Sequence, residues 1–362
     1  MPAPAVAIVG AGVTGLSIAL HLAERGIGPV RIYERSGVAA GASGVQPGGV
    51  RLQWGTEINC RMAQESLAFW RQAQDRLEPR VELGWRARGY LWLAHSEAVL
   101  DNLRTNVALQ NSLGVPSRIV EPDEAAALVP GLRTETLTAA AWCAEDGYFD
   151  RPQAVVEALA DAVGRAGVEI EIRDVRSVRD LDAETVVVAA GVDTPRLLGI
   201  DVPIAAEERF LFFSEPIRER LLEPLVISPE RRFAAKQLGD GRLLASDLGA
   251  RGDPLDGEPR WRAHVRDAVR ELLPQLDFVP LGTLVSGTYD VTPDHQAILG
   301  PVPGHDGLWL AAGFSGHGFM MAPAVWRSIA DAIAGDPPNE YVRALSLERF
   351  ARGALLPEPA VV

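Results

Sequence analysis

The most constraining feature stands at the start of the chain. A short apolar run with β-branched residues, Ala5-Val6-Ala7-Ile8-Val9, leads directly into Gly10-Ala11-Gly12-Val13-Thr14-Gly15. Leu16, Ala19, Leu20 and Ala23 then recur at helical spacing until Gly26, and Val30-Arg31-Ile32-Tyr33 is a second apolar run ending in Glu34. Strand, glycine turn, helix, strand and acid, in that order, predict a parallel βαβ unit. Each part suits a dinucleotide: Gly10 permits the tight turn, Gly12 lets backbone approach a pyrophosphate, and Gly15 lets the helix pack against the strand. The free N–H groups of the first helical turn, at Val13 and Thr14, favour the anion. Glu34 is placed to accept hydrogen bonds from ribose hydroxyls, and an acid there disfavours a 2′-phosphate. A plain glycine-rich turn is the bland alternative, and the motif alone does not separate FAD from NAD.

Composition narrows the class. With 362 residues, two domains or one large one are expected, and 47% hydrophobic and 23% charged residues describe an ordinary globular chain. A net charge of −13 argues against a nucleic-acid partner, whose backbone is bound by clustered positive charge. It leaves room for a small anion held by a single Arg. Cys60 and Cys143 form no metal-spaced set, so neither a disulfide framework nor a metal site is expected. No apolar run reaches the roughly 18 residues of a membrane helix, and Met1-Pro2-Ala3-Pro4-Ala5 has no basic leader region. A cytoplasmic protein without a membrane span is expected. No internal repeat or low-complexity segment is apparent, and the Pro- and Gly-containing tail after Gly353 reads as a loose end.

Further motifs choose the cofactor. Glu34-Arg35 is followed by Gly41-Ala42-Ser43-Gly44-Val45-Gln46-Pro47-Gly48-Gly49-Val50-Arg51. Late in the chain come Tyr289-Asp290-Val291-Thr292-Pro293-Asp294, Ile298-Leu299-Gly300 and Ala312-Gly313-Phe314-Ser315-Gly316-His317-Gly318-Phe319. Together these segments resemble the D-amino-acid oxidase superfamily of FAD enzymes, in its sarcosine oxidase and glycine oxidase branch, and most of all the sarcosine oxidase β-subunit type. The resemblance runs from about Val6 to Ile333. It implies an α/β fold, α+β overall, with a Rossmann-like FAD-binding domain interleaved with a smaller domain built on a mostly antiparallel sheet. The discontinuous FAD domain would comprise residues 1–85, 146–205 and 296–362, and the substrate domain residues 86–145 and 206–295. Local patterns agree in outline, with helices over 57–77, 152–166 and 259–273 and strands over 89–93, 168–172, 185–189, 233–237 and 242–245.

The resemblance also implies site residues. Gly10, Gly12, Val13, Thr14, Gly15, Glu34, Arg35, Ala42, Ser43, Gln46, Gly48, Val175, Ala190 and Gly191 would hold FAD. Gly313, Gly316, His317, Gly318, Phe319 and Met320 would meet its redox end. There the N–H groups of the helix after His317, with Pro323 in its first turn, would stabilise charge on the reduced flavin. Arg51 stands where monomeric sarcosine oxidases hold the substrate carboxylate, and a planar guanidinium takes both carboxylate oxygens at once. The alternatives are a surface Arg or one on the FAD phosphates. Lys236, the only lysine, lies in the 233–237 strand. It either faces the flavin, assisting oxygen reduction or substrate binding, or keeps its head in water over an apolar stem. Tyr289 either lines the pocket or is an ordinary core tyrosine. His317 is a weaker catalytic candidate, and His295 reads as structural.

Three departures from the family bear on chemistry. Where monomeric sarcosine oxidases attach FAD to a cysteine, this chain has about Gly287, so FAD is expected to be non-covalent. The lysine those enzymes carry after their GHGF is Met320 here. The strand Arg that binds the carboxylate in glycine oxidases has Gln237 as its nearest match. The expected reaction is oxidation of an amino acid or N-substituted amino acid: the neutral amine supplies a lone pair, hydride passes to flavin N5, and the imine hydrolyses. Oxygen or another acceptor would take the electrons. A 2-hydroxy acid oxidoreductase using His317 or His295 as base is one alternative. A flavoprotein subunit active only in a hetero-oligomer is another, and assembly as a homo- or hetero-oligomer is open.

Overall fold

The computed structural model describes residues 4–360, so the ends of the expected first and last pieces, 1–3 and 361–362, lie outside the described residues. The opening pattern folds as read. The strand Val6–Val9 is buried throughout, the helix Val13–Glu24 follows, and Val30–Glu34 pairs parallel to the first strand. These strands form the middle of a six-stranded sheet, in the order Ile298–Pro301, Leu308–Ala312, Thr185–Val188, Val6–Val9, Val30–Glu34 and Glu169–Ile172. All pairs are parallel except Ile298–Pro301 with Leu308–Ala312. Both faces are covered, which is why the central strands are apolar without alternation. Ile8, Ile32 and Val187 pack under the helices Val13–Glu24, Pro152–Arg165 and Gly318–Ile333. Ala7, Val9 and Val186 meet Leu197, Leu198 and Val202 on the other side.

A second sheet has eight strands in the order Leu281–Val291, Ala205–Ser214, Leu243–Asp247, Phe233–Gln237, Leu225–Ser228, Tyr90–Ala94, Ala139–Cys143 and Arg118–Val120. It is antiparallel apart from the parallel pair Leu225–Ser228 with Tyr90–Ala94. The helix Pro254–Leu272 covers one face through Trp261, Val265 and Val269. The helix Glu97–Ser112 covers only part of the other, through Leu100, Leu103 and Val107. The uncovered part of that face looks into a cavity shared with the first sheet. A small three-stranded sheet, Gly49–Val50, Gly147–Phe149 and Trp85–Arg86, ties the halves together. The expected domain change at 85/86 falls inside one of its strands, and the change at 205/206 falls inside Ala205–Ser214.

Several local expectations differ from the fold. The helix expected over 57–77 is two helices, Glu57–Trp70 and Ala73–Leu77, because Gln72 leaves helical dihedrals between them. The helix expected from 259 begins at Pro254, where Asp253 caps it by accepting the Leu255 N–H, so Pro259 sits inside rather than at the start. Pro323 likewise lies in the second turn of Gly318–Ile333, and its missing N–H leaves the Phe319 carbonyl without its helical donor. The tail after Gly353 is not a loose end. Glu358 is buried and its carboxylate accepts four hydrogen bonds. Among the described residues no helix is long and apolar enough to cross a membrane.

Candidate functional site

The cavity, about 620 Å³, starts at the glycine turn and ends against the uncovered face of the large sheet. At the turn Gly10 has φ +111°, and a Cβ there would lie 2.4 Å from the Ala189 carbonyl oxygen, so only glycine fits. A Cβ on Gly15 would come 2.0 Å from the Gly10 oxygen; this glycine serves helix packing and does not line the cavity. Gly12, Val13 and Thr14 do line it, and the Val13 N–H donates to Ser43 Oγ at 3.0 Å. The Glu34 carboxylate accepts the N–H groups of Ala11 and Ser36, both at 2.9 Å, which aims it along the crevice edge. Arg35 also lines the cavity and pairs with Asp193 at 2.9 Å.

Ala42, Ser43, Gln46, Val175, Ala190 and Gly191 also line the cavity. The Gln46 amide donates to the Pro152 carbonyl and accepts the Gly48 N–H, closing the loop on itself. Gly48 and Gly313 lie outside the lining. The Gly313 N–H instead donates to Asp290 at 2.7 Å, holding the late loop to its strand.

Gly316, His317, Gly318, Phe319 and Met320 line the far end. Gly316 has φ +89°, and a Cβ there would strike the Tyr289 ring at 2.2 Å, so the bend lies against that ring. Tyr289 is thereby a lining residue. The helix Gly318–Ile333 starts here without a side-chain cap, and its first three N–H groups have no partner among the described residues. His317 is buried, and its Nε2 has no hydrogen-bond partner. Burial first, and Arg51 second, push its pKa well below the ordinary 6.5, so the ring is neutral.

Arg51 is also buried, with its guanidinium 3.6 Å over the Trp54 ring, and His317 meets the same ring edge-on at 4.5 Å. One terminal nitrogen of Arg51 donates to the Gln53 carbonyl and the other to the Ala360 carbonyl, while Nε has no partner. Asp146 steadies this segment from behind, accepting the Leu52 N–H at 2.6 Å and the Gln53 amide at 2.8 Å; burial raises its carboxyl to about 7. Lys236 does not keep its head in water. It is buried in the cavity wall, donates to the Pro47 carbonyl and sits 4.5 Å over the Tyr148 ring. Burial lowers its pKa to about 7, against a smaller opposing effect of Asp150.

Gln237 is fully engaged in structure, accepting from Leu221 and Leu222 and donating to the Glu219 and Gly241 carbonyls. It offers nothing to a ligand. His295 lies in a tight turn outside the lining, and both cysteines are buried away from it. No cluster able to hold a metal occurs among the described residues. Sequence reading missed Trp54, whose only signal is its position three residues after Arg51. It also missed Arg209, which lines the cavity 5.1 Å over the Tyr289 ring while paired with Glu207 at 2.7 Å.

The residues present fit FAD. A glycine turn that a Cβ would fill stands at one end, and two orphaned buried nitrogens, Arg51 Nε and His317 Nε2, beside uncapped helix N–H groups, stand at the other. Gly287 lines the cavity.

The FAD-dependent oxidoreductase family model DAO matches residues 5–332. L-proline dehydrogenase from P. horikoshii is similar in structure, with TM-score 0.90 and 26% identity over 98% of this chain and 100% of that one. Glycine oxidase from Geobacillus kaustophilus is 27% identical, covering 91% of this chain and 92% of the oxidase. Mouse mitochondrial sarcosine dehydrogenase is 24% identical over 95% of this chain but only 41% of its own length. The chain thus spans under half the length of the mitochondrial relatives first matched.

Proposed function

The chain belongs to the DAO family of FAD-dependent oxidoreductases, and on that premise we propose that it oxidises the C–N bond of an amino acid or N-substituted amino acid. One observation carries the reading: a buried guanidinium with an unpartnered Nε stands in the wall of a cavity that continues to the dinucleotide turn. A buried charged donor left with a free N–H suits an anionic ligand group, and an amino-acid carboxylate matches its fork. On this reading residues 1–85, 146–205 and 296–362 form the cofactor domain and the large sheet the substrate domain.

When bound, FAD supplies the two-electron acceptor for the carbon next to nitrogen. The chain's own residues do the rest. Arg51 anchors the carboxylate and so fixes which C–H faces the acceptor. Trp54 keeps the guanidinium plane in place. Lys236 sits near its titration point at neutral pH and supplies a cation below about 7 and a neutral amine above it. His317, neutral throughout that range, offers a hydrogen-bonding nitrogen without adding charge. The uncapped helix N–H groups at Gly318, Phe319 and Met320 favour negative charge at that end. Relatives named for glycine, sarcosine and proline chemistry support an amine substrate with a carboxylate.

The test is anaerobic mixing of the purified flavoprotein with panels of amino acids, N-alkyl amino acids and 2-hydroxy acids, read as bleaching of the flavin band. Bleaching by members of the first two panels, faster as pH rises toward the bound amine's pKa, is the expected result. Bleaching by hydroxy acids alone would replace this reading with the alcohol-oxidising one.

A further inference from the structure

The segment after Gly353 carries an arrangement that neither the dinucleotide turn nor the glycine–histidine bend explains. It begins at a buried ion pair. Arg349 holds both carboxylate oxygens of Asp294 at 2.9 Å, with the two side chains 2% and 0% exposed. Burial alone would raise the Asp294 carboxyl, yet the bonds and charge of Arg349 outweigh it and keep it below its ordinary value. The same aspartate ties down the tail, accepting the Leu356 N–H at 3.2 Å on its side chain and the Glu358 N–H at 3.1 Å on its carbonyl. The last residue of the Thr292-Pro293-Asp294 motif is therefore the hook on which the tail hangs.

Glu358 makes the next link. One carboxylate oxygen accepts the N–H groups of Gly55 and Ala360, at 2.8 and 2.9 Å. The other accepts the Thr56 hydroxyl at 2.7 Å and the Asn59 amide at 2.9 Å. It thus ties the tail to the residues that lead into the helix Glu57–Trp70 and to the Asn59 side chain of its first turn. Pro359 packs so close to Gly55 that a Cβ there would meet it at 2.3 Å. The last link is the Ala360 carbonyl, which accepts from Arg51.

An arginine has five N–H donors in a rigid plane. Here the Gln53 and Ala360 carbonyls take one from each terminal nitrogen, and Trp54 supports the ring-stacked face. The Nε–H and one hydrogen on each terminal nitrogen remain. Two backbone acceptors plus an aromatic shelf leave the guanidinium one orientation, and that orientation keeps Nε in the buried wall without a partner.

We infer that residues 354–360 are a working part of the substrate site, with Glu358 a positioning residue that, through the Ala360 carbonyl, holds Arg51 ready for the substrate carboxylate. The inference rests on the carboxylate role proposed for Arg51. It adds that this role depends on a segment some three hundred residues away in sequence.

The experiment uses the FAD-loaded protein and three changes: Glu358→Ala, Glu358→Asp and truncation after Gly353, with Arg51→Ala alongside. Propionate serves as a carboxylate probe, titrated by calorimetry, and steady-state kinetics use whichever amino acid bleaches the flavin. Glu358→Ala and the truncated chain are expected to retain FAD, to bind propionate at least tenfold more weakly and to raise KM at least tenfold, with kcat changed less than threefold. Glu358→Asp, which keeps the acceptor pair on a shorter stem, recovers part of the propionate affinity. If Arg51→Ala loses propionate but Glu358→Ala does not, the positioning role is overturned while the Arg51 reading stands. If Arg51→Ala itself keeps full affinity, the Arg51 reading falls and the inference with it. A truncated chain that turns over faster would make the segment an obstruction, which also overturns the inference. Should the truncated chain not fold, the two point variants decide.

Discussion

At the scale of single residues, two buried basic side chains line one cavity, and they are not equivalent. Arg51 stays charged although burial lowers its pKa, because a guanidinium starts far above neutrality. A charged hydrogen bond of about 1.5–3 kcal/mol corresponds to roughly ten- to hundredfold in affinity. Arg51→Ala is expected to weaken carboxylate ligands by that factor, and Arg51→Lys to recover only part of it, since an ammonium lacks the fork. Titration of the flavin spectrum measures both, and equal affinity in Arg51→Lys and the parent would show that charge alone suffices. Lys236 behaves differently. Its folded pKa of about 7 lies below the ordinary 10.5, so between those values the unfolded chain holds the proton more strongly. Stability therefore rises with pH across that window, and the cost of the buried charge is largest at pH 7 and below. Lys236→Met should be stabilising relative to the parent at pH 6.5, with the advantage shrinking toward pH 10. Urea midpoints across this range check it, and a difference independent of pH would show that the amine is already solvated. Tyr289 and His317 were legible as candidates because they sit inside motifs. The burial of Lys236 was not, since strand alternation gives two faces and does not say which one meets a cavity.

At the scale of elements, the parts that could be read from sequence are those whose interactions are local. The turn at Gly10–Gly15 closes within a few residues, and its geometry is written in glycines that a Cβ would force apart. Gly15→Ala would drive a methyl carbon to 2.0 Å from the Gly10 carbonyl oxygen, so strand and helix must separate. A loss of about 1–3 kcal/mol in stability and a lower FAD content after purification are expected, measured by thermal melts and by the ratio of flavin to protein absorbance. Full flavin content and an unshifted melt would mean the helix tolerates displacement. The elements that were misread depend on distant partners. The Asp253 cap is not legible locally, because Pro259 itself suits the first turn of a helix. The tail looked loose because it is composed like a loop, while its bonds run to Gly55, Thr56 and Asn59, roughly three hundred residues back. No local pattern carries such a pairing.

At the scale of the whole molecule, two hydrophobic cores, one around each sheet, face a common cavity, and bonds such as Lys236 to the Pro47 carbonyl, Gln53 to the Tyr90 carbonyl and Tyr148 to the Gln237 carbonyl join the two sides. The glycine-turn end of the cavity is lined by the first half of this arrangement. The end near Arg51, Lys236 and His317 draws on both sheets. A ligand that fills only the first end stabilises one core, whereas one that reaches the second joins the two. A ligand at a hundred times its dissociation constant adds about 2.7 kcal/mol. Stripped protein given FAD should therefore melt on the order of 5 °C higher, with the midpoint climbing as FAD is raised. ADP, which matches only the nucleotide end, should give a comparable rise at an equal multiple of its own dissociation constant, but only FAD should sharpen the transition. The second effect is not mass action. It follows from a ligand that bridges both cores, and calorimetry detects it as convergence of the measured and van't Hoff enthalpies. Equal sharpening by ADP would mean that the halves are already locked together by their own contacts, and that the ligand plays no part in joining them.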